Sequence, residues 1–154
     1  MDQQILKQIF ESHKGKPGFV FVSWEEYRDL VEKAYPLLID KARKGGFITY
    51  GEVGGKIGLY VSSDYFQLKI GFVVGACSQY ESIEERPLIS AIVVNDQTNY
   101  PGRGFWGLST IPARIRLNTQ YSDIESGIKM TDEMLRFWTD EVKRIFEWWK
   151  THDC

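Results

Sequence analysis

The chain of 154 residues is poor in the side chains that most catalysis and metal binding require. Its imidazoles are His13 and His152, near the two ends, and its thiols are Cys77 and Cys154. Two cysteines cannot build a disulfide framework or a zinc site, so neither a metal nor a cofactor is expected. Acid–base chemistry would fall to Glu52, with Ser90, Asn95 and Asp96 as further polar groups and Arg103 to stabilise an anionic transition state. No histidine stands near these residues in sequence to complete a triad, and Glu52 also has a structural use at a helix start. A small hydrolase or nuclease is therefore the third reading, and no residue is assigned as catalytic.

Recognition chemistry is better supplied. Thr49, Tyr50, Ser63, Gln67, Lys69, Ser78, Gln79 and Tyr80 can donate to phosphates or read base edges in a groove. Lys41, Arg43, Lys44 and Lys56 can grip the phosphate backbone nearby, and Arg103 can do so from a later loop. That loop, residues 99–106, is a second candidate. Glycines on both sides of Arg103 let the backbone turn sharply, while Tyr100, Phe105 and Trp106 offer stacking surface. Asn99, Tyr100, Arg103, Phe105 and Trp106 could thus hold a base, a phosphate or a partner peptide. The alternative is a hairpin turn whose aromatics close the core.

The charge distribution leaves room for both sites. With 19 basic and 21 acidic residues the formal charge is -2, so no global basic field draws the protein to nucleic acid. Residues 33–80 nevertheless carry six basic against three acidic groups, and residues 86–121 carry four against one. Both ends and Glu81, Glu84 and Glu85 are acidic, and the three glutamates would repel phosphate. Hydrophobic residues at 43% and charged residues at 26% describe an ordinary globular domain. There is no internal repeat or linker, so one domain over 1–154 is expected. No apolar run approaches the roughly 18 residues that span a bilayer. The first ten residues lack the pattern of a secretory signal, so a reduced, cytoplasmic protein is expected.

The elements that must position these residues can be read from spacing. Ile5, Leu6, Ile9 and Phe10 share a face of a helix over 3–12, and Phe19-Val20-Phe21-Val22 reads as a short extended run. Ser23 and Glu26 form a capping-box pair that opens a helix, in which Pro36 predicts a kink or restart. Thr49 and Glu52 form a second capping box, for a short helix that stops at Gly58. Ser62 or Ser63 then caps a longer helix from about Asp64 to Glu84. Residues 87–94 read as a strand, and Phe105-Trp106 as the start of its return partner in a hairpin. Residues 109–130 read as loop. Thr131 caps a last helix whose stripe of Leu135, Trp138, Val142, Ile145 and Trp149 faces the core. Phe137 and Trp148 fall off that stripe and suggest a dimer contact.

Two helices joined by a short turn and followed by a hairpin describe a winged helix. The fold expected is α+β, with a winged-helix-like helix-turn-helix at about 36–108 flanked by N- and C-terminal helices. Ile48-Thr49-Tyr50-Gly51-Glu52-Val53, Ile57-Gly58, Val74-Gly75-Ala76 and Arg86-Pro87 together resemble the DNA-binding domain of the alkylguanine-alkyltransferase and alkyltransferase-like family. The resemblance covers about residues 36–107. It implies that the Thr-Tyr-Gly segment opens the first helix of the motif and that the Gly-Ala segment closes the second. The family's alkyl-accepting Pro-Cys-His-Arg is absent, with Ser90, Ala91 and Ile92 where Cys, His and Arg would stand. A serine without an adjacent imidazole is a poor alkyl acceptor, so alkyl transfer is not expected. The family's intercalating arginine falls on or near Phe72, which either wedges between bases or packs inside.

The leading expectation is a non-catalytic nucleic-acid-binding protein, with DNA ahead of RNA, contacting its target through Lys44, Thr49, Tyr50, Lys56, Ser63, Gln67, Lys69, Gln79 and Arg103. The alternative is a protein- or nucleotide-binding module that uses the 99–106 loop and the C-terminal aromatics. A homodimer is compatible with either.

Overall fold

The computed structural model describes residues 1–21, 23–117 and 129–152. Among these the chain forms six α-helices, one 3₁₀ turn and a two-stranded sheet. α1 (Gln3–Lys14) starts at Asp2, whose carboxylate accepts the backbone N–H groups of Gln4 and Ile5. α2 (Trp24–Arg43) starts at Ser23, whose hydroxyl accepts from the N–H of Glu26. It runs unbroken through Pro36, so the helix does not restart there. Pro36 is exposed, which leaves the carbonyl that loses its helical partner within reach of water. Lys41 and Arg43 lie in the last turn, where cations complement the carbonyl end.

β1 (Ile48–Thr49) leads directly into α3 (Tyr50–Ile57), and α4 (Phe66–Ile83) follows after an eight-residue turn. α4 has apolar residues around nearly its whole circumference: Phe66, Ile70, Val73, Val74, Ala76, Cys77 and Tyr80 are all buried. It packs against α1, α2 and residues 103–106, and forms the axis of the core. It starts at Phe66, with Tyr65 as N-cap, rather than at about Asp64, and Ser63 gives its hydroxyl to the N–H of Tyr60 instead of capping the helix.

The expected strand at 87–94 is mostly something else. Ile89–Ile92 is a 3₁₀ turn and only Val93–Val94, β2, is extended. Side chains satisfy the backbone here in place of a neighbouring strand. Ser78 accepts from the N–H of Ser90, Glu141 from that of Leu88, and the indole of Trp138 donates to the carbonyl of Ala91. β2 pairs in parallel with β1, Ile48 opposite Val93 and Thr49 opposite Val94. No hairpin returns from it, because residues 103–106 form a helical turn, α5 (Arg103–Trp106). A strand would send Phe105 and Trp106 to opposite faces, whereas the helical turn buries both, at 3% and 0% exposure. The fold is thus helical with one small parallel pair, and the antiparallel wing is not among the described elements.

α6 (Asp132–Thr151) is capped by Thr131 and lays Met134, Glu141, Val142, Ile145 and Trp149 on the core. Leu135, expected on that face, lies outside it and is exposed, with Met134 in its place. Residues 109–117 form turns, as expected; the rest of the 109–130 loop up to 128, with Val22 and Cys154, lies outside the described residues.

An aromatic cluster closes the N-terminal end. Phe10, Phe19, Trp24 and Tyr27 meet edge to face around it, and Phe72 of α4 packs edge-on to Phe19, so it is a core residue rather than a wedge. His13 is buried among them, its Nδ1 2.8 Å from the Tyr27 hydroxyl. Burial, helped by the charge of Lys16, lowers its pKa from 6.5 to about 3. Above pH 6.5 the ring is neutral whether the chain is folded or not. Between 6.5 and about 3 only the unfolded chain takes the proton, so stability falls as the pH drops, by up to about 1.4 kcal/mol per pH unit. Urea unfolding across that window should show this slope, and His13→Gln, which can still accept from Tyr27, should flatten it relative to wild type.

Candidate nucleic-acid interface

Tyr50 joins the two segments singled out in the sequence. The β1–β2 pairing sets where α3 begins, and a complete capping box holds its first turn. The Thr49 hydroxyl accepts from the N–H of Glu52, and the Glu52 carboxylate accepts from the N–H of Thr49. Both residues therefore have structural tasks. The Tyr50 side chain packs on the core, and its hydroxyl accepts a 2.8 Å hydrogen bond from the N–H of Gly102. Burial pushes its pKa up to about 12, opposed by the Gly102 bond, so the hydroxyl keeps its proton at neutral pH. Gly102 is the N-cap of α5 and Arg103 its first residue. Gly104 lies against Gly71, where even an added Cβ would be 3.9 Å from the Gly71 carbonyl oxygen. The starts of α3 and α5 and the first turns of α4 thus converge.

The α3–α4 turn forms the outer edge of this region. Gly58, in the left-handed conformation with φ 83°, ends α3. Gly54 permits the return of the chain: a Cβ there would lie 2.3 Å from the Leu59 carbonyl oxygen and 2.6 Å from the Phe66 ring. Tyr60, Val61 and Tyr65 are 59%, 68% and 63% exposed, half of the large hydrophobic residues found exposed among the described ones. The reading of the sequence missed them. The signal was a Leu-Tyr-Val triplet placed between a helix-ending glycine and serines, where a turn has no core to face. Val61 reaches back over the start of α3, 3.4 Å from where a Cβ on Gly51 would stand.

Several expected contact residues are already engaged. Lys69 pairs with Glu26 at the start of α2, above the ring of Phe21. Ser78 is buried against Ser90, and Tyr80 is buried with its hydroxyl accepting from the N–H of Asp2. These side chains face the interior because α4 is enclosed along this length. Gln79 is half-buried near the closed end of α4, while Gln67 is exposed on its first turn. Lys44 is exposed but pairs with Asp40 at 2.9 Å. That bond lowers the Asp40 pKa, with Arg43 and Lys56 adding to the effect, so these cations gather at the end of α2. Arg43 itself lies beside α6, near the ring of Trp149. Lys56 is exposed on the last turn of α3.

The aromatics of the 99–106 loop do not form a contact surface. Phe105 and Trp106 are core, and Tyr100 meets the edge of Trp138. Asn99 is exposed at a left-handed turn, φ 62°, with its N–H donated to the carbonyl of Asn95. At the C-terminus Phe137 packs near Trp106, and Trp148 stacks on His152 at 3.6 Å. Glu81, read as repelling phosphate, is fully buried and takes both Arg86 and the Tyr35 hydroxyl. Of the polar residues considered for catalysis, Ser90 is buried with Ser78, Asn95 accepts from the N–H of Gln97, and Asp96 is exposed. Among the described residues, no group of three or more His, Cys, Asp or Glu is placed to hold a metal ion. Nor is any helix among them long and apolar enough to cross a membrane.

No family model matches this chain, and no match was found among curated proteins or solved structures.

Two substitutions test the architecture. Tyr50→Phe leaves the Gly102 N–H without its acceptor, and should cost about 1–2 kcal/mol in urea unfolding and speed amide exchange at Gly102. Gly54→Ala forces its methyl onto a backbone carbonyl. It should cost about 2–3 kcal/mol by the same measurement, because the turn must shift to admit it.

Proposed function

We propose that the protein binds nucleic acid, DNA ahead of RNA, with no chemical step of its own, through the surface where α3, the α3–α4 turn and α5 meet. The Tyr50–Gly102 bond carries this reading, because it makes one surface of two segments chosen separately for contact with a nucleic acid. Lys56 at the end of α3 would meet phosphates, Gln67 at the open end of α4 can reach base edges, and the half-buried Arg103 begins α5 next to Gly102. Tyr60 and Tyr65 supply exposed rings of the kind on which bases stack. The winged-helix-like arrangement belongs to the same proposal, with α3 and α4 as the helix pair and the loop from Asn95 to α5 in place of the wing. So does a cytoplasmic location, where a free thiol such as that of Cys77 persists.

A second reading, a protein-binding module, is favoured by the exposed apolar tip of Tyr60, Val61 and Tyr65. Salt dependence separates the two, since phosphate contacts release counterions and an apolar interface does not. Fluorescence anisotropy with random duplex and single-stranded DNA, at low and moderate salt, should show binding that weakens steeply with salt. Lys44→Ala with Lys56→Ala should weaken it by roughly 3–10-fold and lower the salt slope. No binding of either form of DNA at low salt would sink the proposal.

A further inference from the structure

A second cationic surface lies outside the residues considered so far. Between the segment 114–117 and the first turn of α6 is a cleft of about 540 Å³ into which Arg114, Arg116, Lys129 and Arg136 all face, with Asp132 and Glu133 on its wall. Among the described lining residues, four cations against two carboxylates is a local excess on a chain whose overall charge is negative. The carboxylates are partly committed. Both sit in the first turn of α6, where negative charge complements the helix end, and Glu133 pairs with Arg114. Some cations elsewhere are matched, Lys7 and Lys14 with Glu11, Lys44 with Asp40, Lys69 with Glu26 and Arg144 with Glu141, whereas Lys16, Lys33, Lys41, Lys56, Lys143 and Lys150 are single charges spread along the chain. In the cleft, Arg116, Lys129 and Arg136 form no ion pair among the described residues, and Arg116 holds only the carbonyl of Ser109, at 2.8 Å. All three are exposed.

The cleft adjoins the surface already described. The N–H of Leu117 donates to the carbonyl of Trp106 at 2.9 Å, which fastens the Arg114–Arg116 segment to the far end of α5, the helical turn that begins at Arg103. We propose that this cleft binds the phosphodiester backbone of the same nucleic acid, as a second anchoring surface that supplies charge and no base recognition. This rests on the nucleic-acid reading above, and the experiment separates the failure of one from the failure of the other.

The test is the salt dependence of DNA binding for wild type and for Arg116→Ala with Arg136→Ala, two exposed side chains, with folding checked by thermal melting. Removing one cation that neutralises a phosphate lowers the slope of log affinity against log salt by about 0.7–0.9, so the double variant should lose about 1–2 from the slope and roughly tenfold in affinity. Arg116→Lys with Arg136→Lys, which keeps the charge, should retain most of both. Lys129→Glu provides an independent variant should the double one fail to fold, and it should weaken binding in the same direction. Wild-type affinity and slope in the alanine variant, or in Lys129→Glu, would overturn the cleft and leave the first surface standing. Absence of any binding by wild type at low salt would overturn both.

Discussion

Burial of α4 on almost every side is the constraint on which the rest of the structure depends. A helix enclosed by α1, α2, α5 and the 3₁₀ turn must match each polar side chain it carries to a partner inside the protein. Ser78 is matched by Ser90, Tyr80 by the first residues of the chain and Glu81 by Arg86 and Tyr35. Each match ties a distant segment to the same axis. The enclosure also dictates recognition, because a helix buried along its length cannot lie in a groove. Its first turns, with Gln67 and the tyrosine-bearing turn before them, and its last residue, Ile83, are the parts that meet solvent.

The end of α4 shows how a buried charge is held. Glu81 is fully enclosed and receives two hydrogen bonds from Arg86, at 2.8 and 3.0 Å, with a third from Tyr35. Those bonds raise the Arg86 pKa further above its ordinary range, and burial first and then the Glu81 bond raise that of Tyr35, so the guanidinium stays charged and the phenol neutral. A buried ion pair contributes little over a well-packed apolar one, but losing one partner costs about 3–5 kcal/mol because a lone charge is left inside. Its effect is on geometry. Arg86 reaches Glu81 because Glu85 takes a left-handed conformation, φ 59°, and turns the chain back. The following segment then runs into the 3₁₀ turn, where Glu141 of α6 takes the N–H of Leu88. Two buried carboxylates thus direct residues 86–92, and through them β2, onto β1.

That placement assembles the proposed binding surface. β1 pairs with β2, the start of α3 follows β1, and the loop after β2 returns to Tyr50 through Gly102. The surface has one apolar feature, the exposed turn, and basic groups spread beyond it at the ends of α2 and α3 and in the cleft before α6. Spread-out cations on an otherwise acidic chain suit a polyanion better than a compact ligand, because each adds a modest, screened attraction along a path.

Signals carried by a few neighbouring residues were legible without the fold. Caps at Ser23, Thr49 and Thr131, the glycine stop at Gly58, the helical spacing of all four long helices and the placing of Tyr50 at a helix start all depend on contacts within one turn of chain. The sequence by itself therefore determined the four long helices and α3, their limits to within a few residues and the local chemistry of the candidate site, but not the helical turn α5. What only the tertiary structure decided was which residues face inward and which segments meet. Residues 87–94 have strand composition, yet side chains from α4 and α6 satisfy their backbone, so most of them curl into a 3₁₀ turn. Lys69, Ser78 and Tyr80 have recognition chemistry, yet a helix with apolar residues all round offers no periodic stripe to show which side is buried. The parallel pairing of β1 with β2, the Tyr50–Gly102 bond and the basic cleft join residues tens of positions apart, and such contacts leave no trace in local spacing.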